Sequence, residues 1–135
     1  MTFQGACYSA TDVTFVPTPV QRPRPPVWLG CNWPSRAPLR RAARWDGVAP
    51  MIFGPDGTMS PTPTIVTEIV SVIGEHRSTA DPFDVVLTGR TEPGSALETV
   101  RPLEEAGGTW WLEGFFPGEG QYGAAMRRIE AGPPR

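Results

Sequence analysis

Three short stretches of this 135-residue sequence bring together residue types that can do chemistry. The richest is Gly30-Cys31-Asn32-Trp33-Pro34-Ser35-Arg36, which joins a short apolar run to the start of a helical one. The free N–H groups of a helix start, the Ser35 hydroxyl, the Asn32 amide and the Arg36 guanidinium are the kinds of group that hold a phosphate. Gly30 permits close approach of a ligand to the backbone. The second stretch, Thr88-Gly89-Arg90-Thr91, places an arginine after another glycine. The third, Trp110-Trp111-Leu112-Glu113, ends two indoles on a carboxylate. Strand alternation sends Trp110 and Trp111 to opposite faces. Gly89, Arg90, Trp111 and Glu113 are the candidate rim of a pocket for a small-molecule substrate, and Gly30, Cys31, Asn32, Ser35 and Arg36 the candidate phosphate cradle.

Composition removes several other chemistries. The basic residues number twelve, all of them arginine, so there is no P-loop lysine and no Schiff-base or lysine general base. For the same reason the chain is not a phosphorylation receiver domain. A zinc site needs ligands clustered at short spacing, and the single histidine, His76, and two cysteines, Cys7 and Cys31, offer no such cluster. A Ser-His-Asp triad would have to use His76, which falls at the polar end of a helical stretch, and there is no GxSxG. No catalytic residue is assigned. The opening MTFQGACYSATD has neither a basic nor an apolar leader region, and no run approaches the ~18 apolar residues of a spanning helix. The expectation is a cytoplasmic chain with both cysteines reduced.

The elements that must position these groups follow from the apolar pattern. Residues 1–26 read as an extended lead-in: 12–16 can form a short strand, and Pro17, Pro19, Pro23, Pro25 and Pro26 deny helix. From residue 27 onward the pattern is regular. Apolar runs at 26–30, 47–54, 83–89 and 109–115 read as strands, each ending near a glycine. Between and after them, helical periodicity covers 35–45 (Leu39, Ala42, Ala43), 63–77 (Ile65, Ile69, Val72, Ile73), 95–106 and 122–129 (Tyr122, Ala125, Met126, Ile129). Pro55-Asp56-Gly57 is a turn, Pro102 is expected to kink or restart the third helix, and Gly132-Pro133-Pro134 ends the last. Four βα units imply parallel strands joined by right-handed crossovers. The fold class is α/β: a partial TIM (β/α)8 barrel or a small open sheet. Four strands close nothing alone, so either a missing half or self-association is expected to supply the rest.

At this point the residues resemble a known family. The succession Val20-Gln21-Arg22-Pro23-Arg24-Pro25-Pro26-Val27-Trp28-Leu29-Gly30, then Arg41-Ala42-Ala43-Arg44-Trp45-Asp46-Gly47-Val48, looks like the luciferase-like monooxygenases, which are flavin- or deazaflavin-dependent oxidoreductases with a TIM-barrel fold. Phe3-Gln4-Gly5 to Tyr8, Phe15-Val16-Pro17, Phe83-Asp84-Val85-Val86 and Ala106-Gly107-Gly108-Thr109-Trp110-Trp111-Leu112-Glu113 are similar to further segments of that family. The resemblance implies barrel strands five to eight in residues 27–135, preceded by the lead-in, so that the chain is a fragment lacking the first four strands. It implies reduced FMN or the deazaflavin coenzyme F420 as cofactor, with its phosphate at the end of strand five, on Gly30, Cys31, Asn32 and the Ser35 helix start. Where relatives often carry a second small residue, this sequence has Cys31 and Asn32. Much of the family's ring and substrate pocket falls in the missing half.

Two other readings stand beside it. One is a half-barrel that binds a phosphate ligand without chemistry, with or without dimerisation. The other is a nucleic-acid binder: residues 13–45 contain no acid, six arginines and, with Trp28, Trp33 and Trp45, three indoles. The net charge of −2 and the eight acids within 81–119 weigh against it. The chain is expected to pass a heparin column unretained at low salt. Retention with a steep salt dependence would instead assign residues 21–45 to phosphate-backbone contacts.

Overall fold

The computed structural model describes residues 1–18, 20–92, 94–115 and 122–132. In the lead-in, β1 (Phe3–Gln4) and β2 (Ser9–Ala10) form a small antiparallel hairpin closed by a Gly5 N–H to Tyr8 carbonyl bond of 2.9 Å. The strand expected at 12–16 does not form. Val13 instead exchanges hydrogen bonds with Met1, donating to its carbonyl at 3.0 Å and accepting from its ammonium at 2.8 Å.

Beyond the lead-in the βα order is the one the periodicity predicts. It runs β3 (Trp28–Asn32), α1 (Arg36–Ala42), β4 (Gly47–Met51), α2 (Pro63–His76), β5 (Asp84–Gly89), α3 (Ala96–Glu105), β6 (Trp110–Glu113) and α4 (Tyr122–Glu130). β3 to β6 pair in parallel in that spatial order. Sequential order means that every crossover steps the same way, and a common right hand then puts the connecting helices on one face. The buried cluster agrees. Cys31, Val48, Val85 and Leu87 from the strands meet Leu39, Ala42 and Ala43 of the α1 segment, Val66, Ile69, Val72 and Ile73 of α2, and Leu103 of α3, with Leu29 and Trp111 packed against them. By alternation the opposite face presents Trp28, Gly30 and Asn32, then Gly47, Ala49 and Met51, then Asp84, Val86 and Thr88, then Trp110 and Leu112. Among the described residues no helix covers that face.

Several boundaries move for local reasons. α1 stops at Ala42 because Arg44 and Trp45 donate to the Arg41 and Ala42 carbonyls, tightening the last turn. β4 stops at Met51; Ile52 turns into the core, and Phe53 pairs instead with Met59 across the Pro55-Asp56-Gly57 turn, where Gly57 has φ +77°. α2 begins at a Thr62 cap whose hydroxyl accepts from Ile65 N–H at 3.4 Å, with Pro63 in the first turn. α3 runs through Pro102 as a single helix. Pro102 lies one turn from its end, so only the exposed Glu98 carbonyl loses its acceptor role. The apolar stripe of α4 is the largest departure, because none of its residues is buried. Of the expected Gly132-Pro133-Pro134 stop, Gly132 is at φ +74°, and the two prolines lie outside the described residues.

Ile69 is fully buried at the centre of the helix layer. Ile69→Ala is expected to cost about 2–5 kcal/mol and Ile69→Val about 1 kcal/mol, read as a lower urea midpoint with unchanged slope. Equal midpoints for the two variants would contradict the packing described.

Candidate functional site

The first predicted site lies where β3 ends. Gly30 and Asn32 are exposed on the helix-free face, and a Cβ built on Gly30 would meet nothing within 4 Å. The chain then turns: Trp33 N–H donates to the Met51 carbonyl at 3.0 Å and Ser35 N–H to the Asn32 carbonyl at 2.9 Å. Ser35 caps α1 in an extended conformation, but its hydroxyl makes no capping bond. Arg36 follows, exposed. With Pro38 carrying no N–H, the helix start leaves the amides of Arg36 and Ala37 without an intrahelical acceptor. The structure thus brings Gly30, Asn32, Ser35 and Arg36 to one strand end. Cys31 is different: alternation turns its side chain into the helix-side core, where burial pushes its thiol pKa up. A neutral, buried thiol cannot line the cradle, so Cys31 can contribute only backbone.

The second predicted site is reorganised. Trp111 and Glu113 share the helix side of β6, whereas Trp110 is the indole on the open face. The Trp111 ring lies directly on Gly89, occupying the place a Cβ would take. Glu113 does not face an empty pocket. Its carboxylate accepts from Thr91 N–H (2.7 Å), the Thr91 hydroxyl (2.8 Å) and the Trp111 indole (2.9 Å), and it faces Arg128 at 3.8 Å. Arg128 also donates to the Gly132 carbonyl (2.6 Å) and the Thr91 hydroxyl (3.3 Å), while its Nε is buried without a partner. Burial raises the Glu113 pKa, but the Thr91 and Trp111 hydrogen bonds and Arg128 outweigh it, so the carboxylate is held below its ordinary value. Arg90 stays exposed. This cluster ties the β5 and β6 ends to α4. Neither Thr91 nor Arg128 carries a sequence pattern that marks it; Arg128 arrives by tertiary placement alone.

At the opposite end of the open face sits a cluster that the motifs did not reveal. Asp84, first residue of β5, accepts the Trp28 indole N–H at 3.0 Å and the Trp110 indole N–H at 3.1 Å, and the Thr109 hydroxyl at 3.2 Å. The two indoles meet with centroids 5.5 Å apart, although β4 and β5 separate their strands. The edge of the Trp28 ring and Asp84 fill the space a Cβ on Gly47 would take. Nearby, Arg24 is bound to Asp46 and rests on the Trp45 ring at 5.1 Å. Arg24, then the Val27 N–H at 2.6 Å, hold Asp46 below its usual carboxylate range. Arg24 is therefore committed within the fold. His76 is bonded to the Val72 carbonyl at 2.9 Å, one turn back in its own helix. Cys7 is exposed and Cys31 buried, both free. Among the described residues there is no cluster of His, Cys, Asp or Glu fit for a metal, and no helix long and apolar enough to cross a membrane.

Comparison with protein-family models, curated proteins and solved structures returns no match to this chain.

Because Glu113 has a depressed pKa in the folded state, its contribution is present above the unfolded value and lost as pH falls through the folded one. Stability to urea is expected to decline as pH drops below about 5. Glu113→Gln is expected to flatten that decline and to cost about 1–3 kcal/mol at pH 7. An unchanged pH profile would remove Glu113 as its source.

Proposed function

We propose that the chain is the cofactor-phosphate half of a luciferase-like, flavin- or deazaflavin-dependent oxidoreductase. In this reading β3 to β6 are four strands of an eight-stranded barrel, and the helix-free face is barrel interior. The observation that carries the proposal is the exposed group of Gly30, Asn32, Ser35 and Arg36 at the carboxyl end of β3. Ligands of parallel α/β barrels bind at that end of the strands. Supporting it are the sequential one-sided sheet and the resemblance of residues 20–30 and 41–48 to the family's sequence.

The residues fit a phosphate group. Gly30 leaves room for the group beside the backbone, and the uncommitted Ser35 hydroxyl and the Asn32 amide supply neutral donors. Arg36 and the two helix-start amides supply positive charge and dipole. When bound, a reduced flavin or deazaflavin would supply hydride transfer or dioxygen activation. The role of this chain's residues is to bind and orient: the cradle fixes the phosphate tail, and thereby where the rest of the molecule can lie. Two strands away, the Glu113–Thr91 lock holds the β5 end, which the exposed Arg90 follows, in a fixed position. No side chain is placed here as a general acid or base.

Fluorescence titration with FMN and coenzyme F420, against riboflavin as the phosphate-free control, tests the reading. FMN or F420 is expected to bind, and riboflavin much more weakly. Asn32→Ala and Arg36→Ala should each weaken binding by about 10- to 100-fold, as for hydrogen bonds to a charged group. Equal affinity for FMN and riboflavin would overturn the phosphate site. Binding of inorganic phosphate with no flavin selectivity would favour the non-catalytic module instead.

A further inference from the structure

Among the described residues the helix-free face of the sheet has no occupant, and we infer that its occupant is a second copy of the same chain, closing a two-fold (β/α)4 + (β/α)4 barrel. The inference rests on the barrel geometry of the reading above and not on its flavin chemistry.

Three observations lead there. The first is the sheet's pair of free edges. β3 and β6 each pair on one side only, and both are parallel strands. An occupant that closes the sheet must offer a parallel edge to each. A copy rotated about an axis along the strands does so, setting its own β6 beside β3 and its β3 beside β6, so one self-complementary seam is used twice. The second is the face itself. Trp28, Met51, Trp110 and Leu112 are 39%, 41%, 51% and 45% exposed, and Phe53, just past the end of β4, is 57% exposed. Asp84, the acid on that face among the described strand residues, already accepts from both indoles, so its carboxylate keeps hydrogen-bond donors when the face is covered. The exposed parts of these five side chains amount to roughly 500 Å² per copy, about 1,000 Å² for two, before the strand edges are counted. With the edges, the contact reaches the lower range of stable interfaces, about 1,200 Å² in total.

The third observation is the last helix. A cleft of about 280 Å³ lies at the free edge of β6, lined by Leu87, Val100, Leu103, Thr109, Trp110 and Trp111. α4 presents Tyr122, Met126 and Ile129 at 72%, 37% and 57% exposure, although they form its apolar stripe. In a (β/α) barrel the helices form an outer ring over the closed sheet. α4 has β6 but no next strand; a partner's β3 would provide it.

Native mass spectrometry and sedimentation of the full chain without ligand test the inference. The expected species has twice the 14.7 kDa chain mass. A wild-type monomer throughout the micromolar range overturns it, as does a chain that is monomeric until a different four-stranded half is co-expressed. Leu112→Glu and Met51→Glu place a carboxylate at positions already exposed in the single chain, so each should leave the helical circular-dichroism signal intact and shift the mass to the monomer. A dimer that survives both changes is built on another surface and overturns the proposal. Hydrogen exchange gives a readout independent of the variants. Edge amides within Trp28–Asn32 and Trp110–Glu113 should exchange at least tenfold more slowly as concentration rises through dimer formation; concentration-independent exchange at both edges overturns it. None of these outcomes depends on flavin, so a dimer that binds no FMN refutes only the reading in the preceding section.

Discussion

Everything in this molecule depends on the strands being laid down side by side in chain order. A parallel strand must be reached by a crossover, and crossovers share one hand. When successive strands also step in one direction, the helices have no choice of face. α1, α2 and α3 accumulate on one side of β3 to β6 and bury Leu39, Ile69, Val72, Val48, Val85 and Leu87 there. The other side then holds Gly30, Asn32, Met51, Trp110 and Leu112, and among the described residues no helix lies over it. One topological constraint thus produces the core, the open face and the exposed end of β3 together.

The two ends of the sheet are fastened by different chemistry. At the strand starts, one carboxylate, Asp84, gathers two indoles and a hydroxyl contributed by β3, β6 and the residue preceding β6. At the strand ends on the helix side, Glu113 gathers Thr91 and Trp111 and faces Arg128. Both are acids satisfied by several donors, as partly buried acids must be. The strand end of β3 on the open side has no such fastening: Ser35 and Arg36 are exposed, and Ser35 makes no capping bond.

Much of this was legible in the residues. Periodicities of two and 3.6 are consequences of local backbone geometry, so the βα order and the inward residues of α1 and α2 could be read directly. The strand-to-helix joint between β3 and α1 was legible because such a joint is a local feature. The lead-in hairpin was not: two-residue strands carry no periodicity, and the pairing of Met1 with Val13 spans twelve positions. The roles of Trp110 and Trp111 were half legible. Alternation separates them, but only packing shows that Trp111 lies on Gly89 under the helices while Trp110 joins Trp28. The stripe of α4 was read correctly as apolar, yet its partner surface is not supplied by this chain's described residues.

Which residues are extended, which are helical, and that no lysine is available can be read from the residues, because these depend on residue type and short spacing. Which side of each strand meets the helices was settled by tertiary packing. It turned Cys31 into the core and left Asn32 facing out, and it brought Arg128 to Glu113 and Trp28 to Asp84. Those outcomes depend on register between strands and on contacts between residues far apart in sequence, such as Trp28 with Asp84, 56 positions on, and with Trp110 beyond it. No local preference encodes them; they follow from the one arrangement in which the apolar sides of four strands and three helices are buried together.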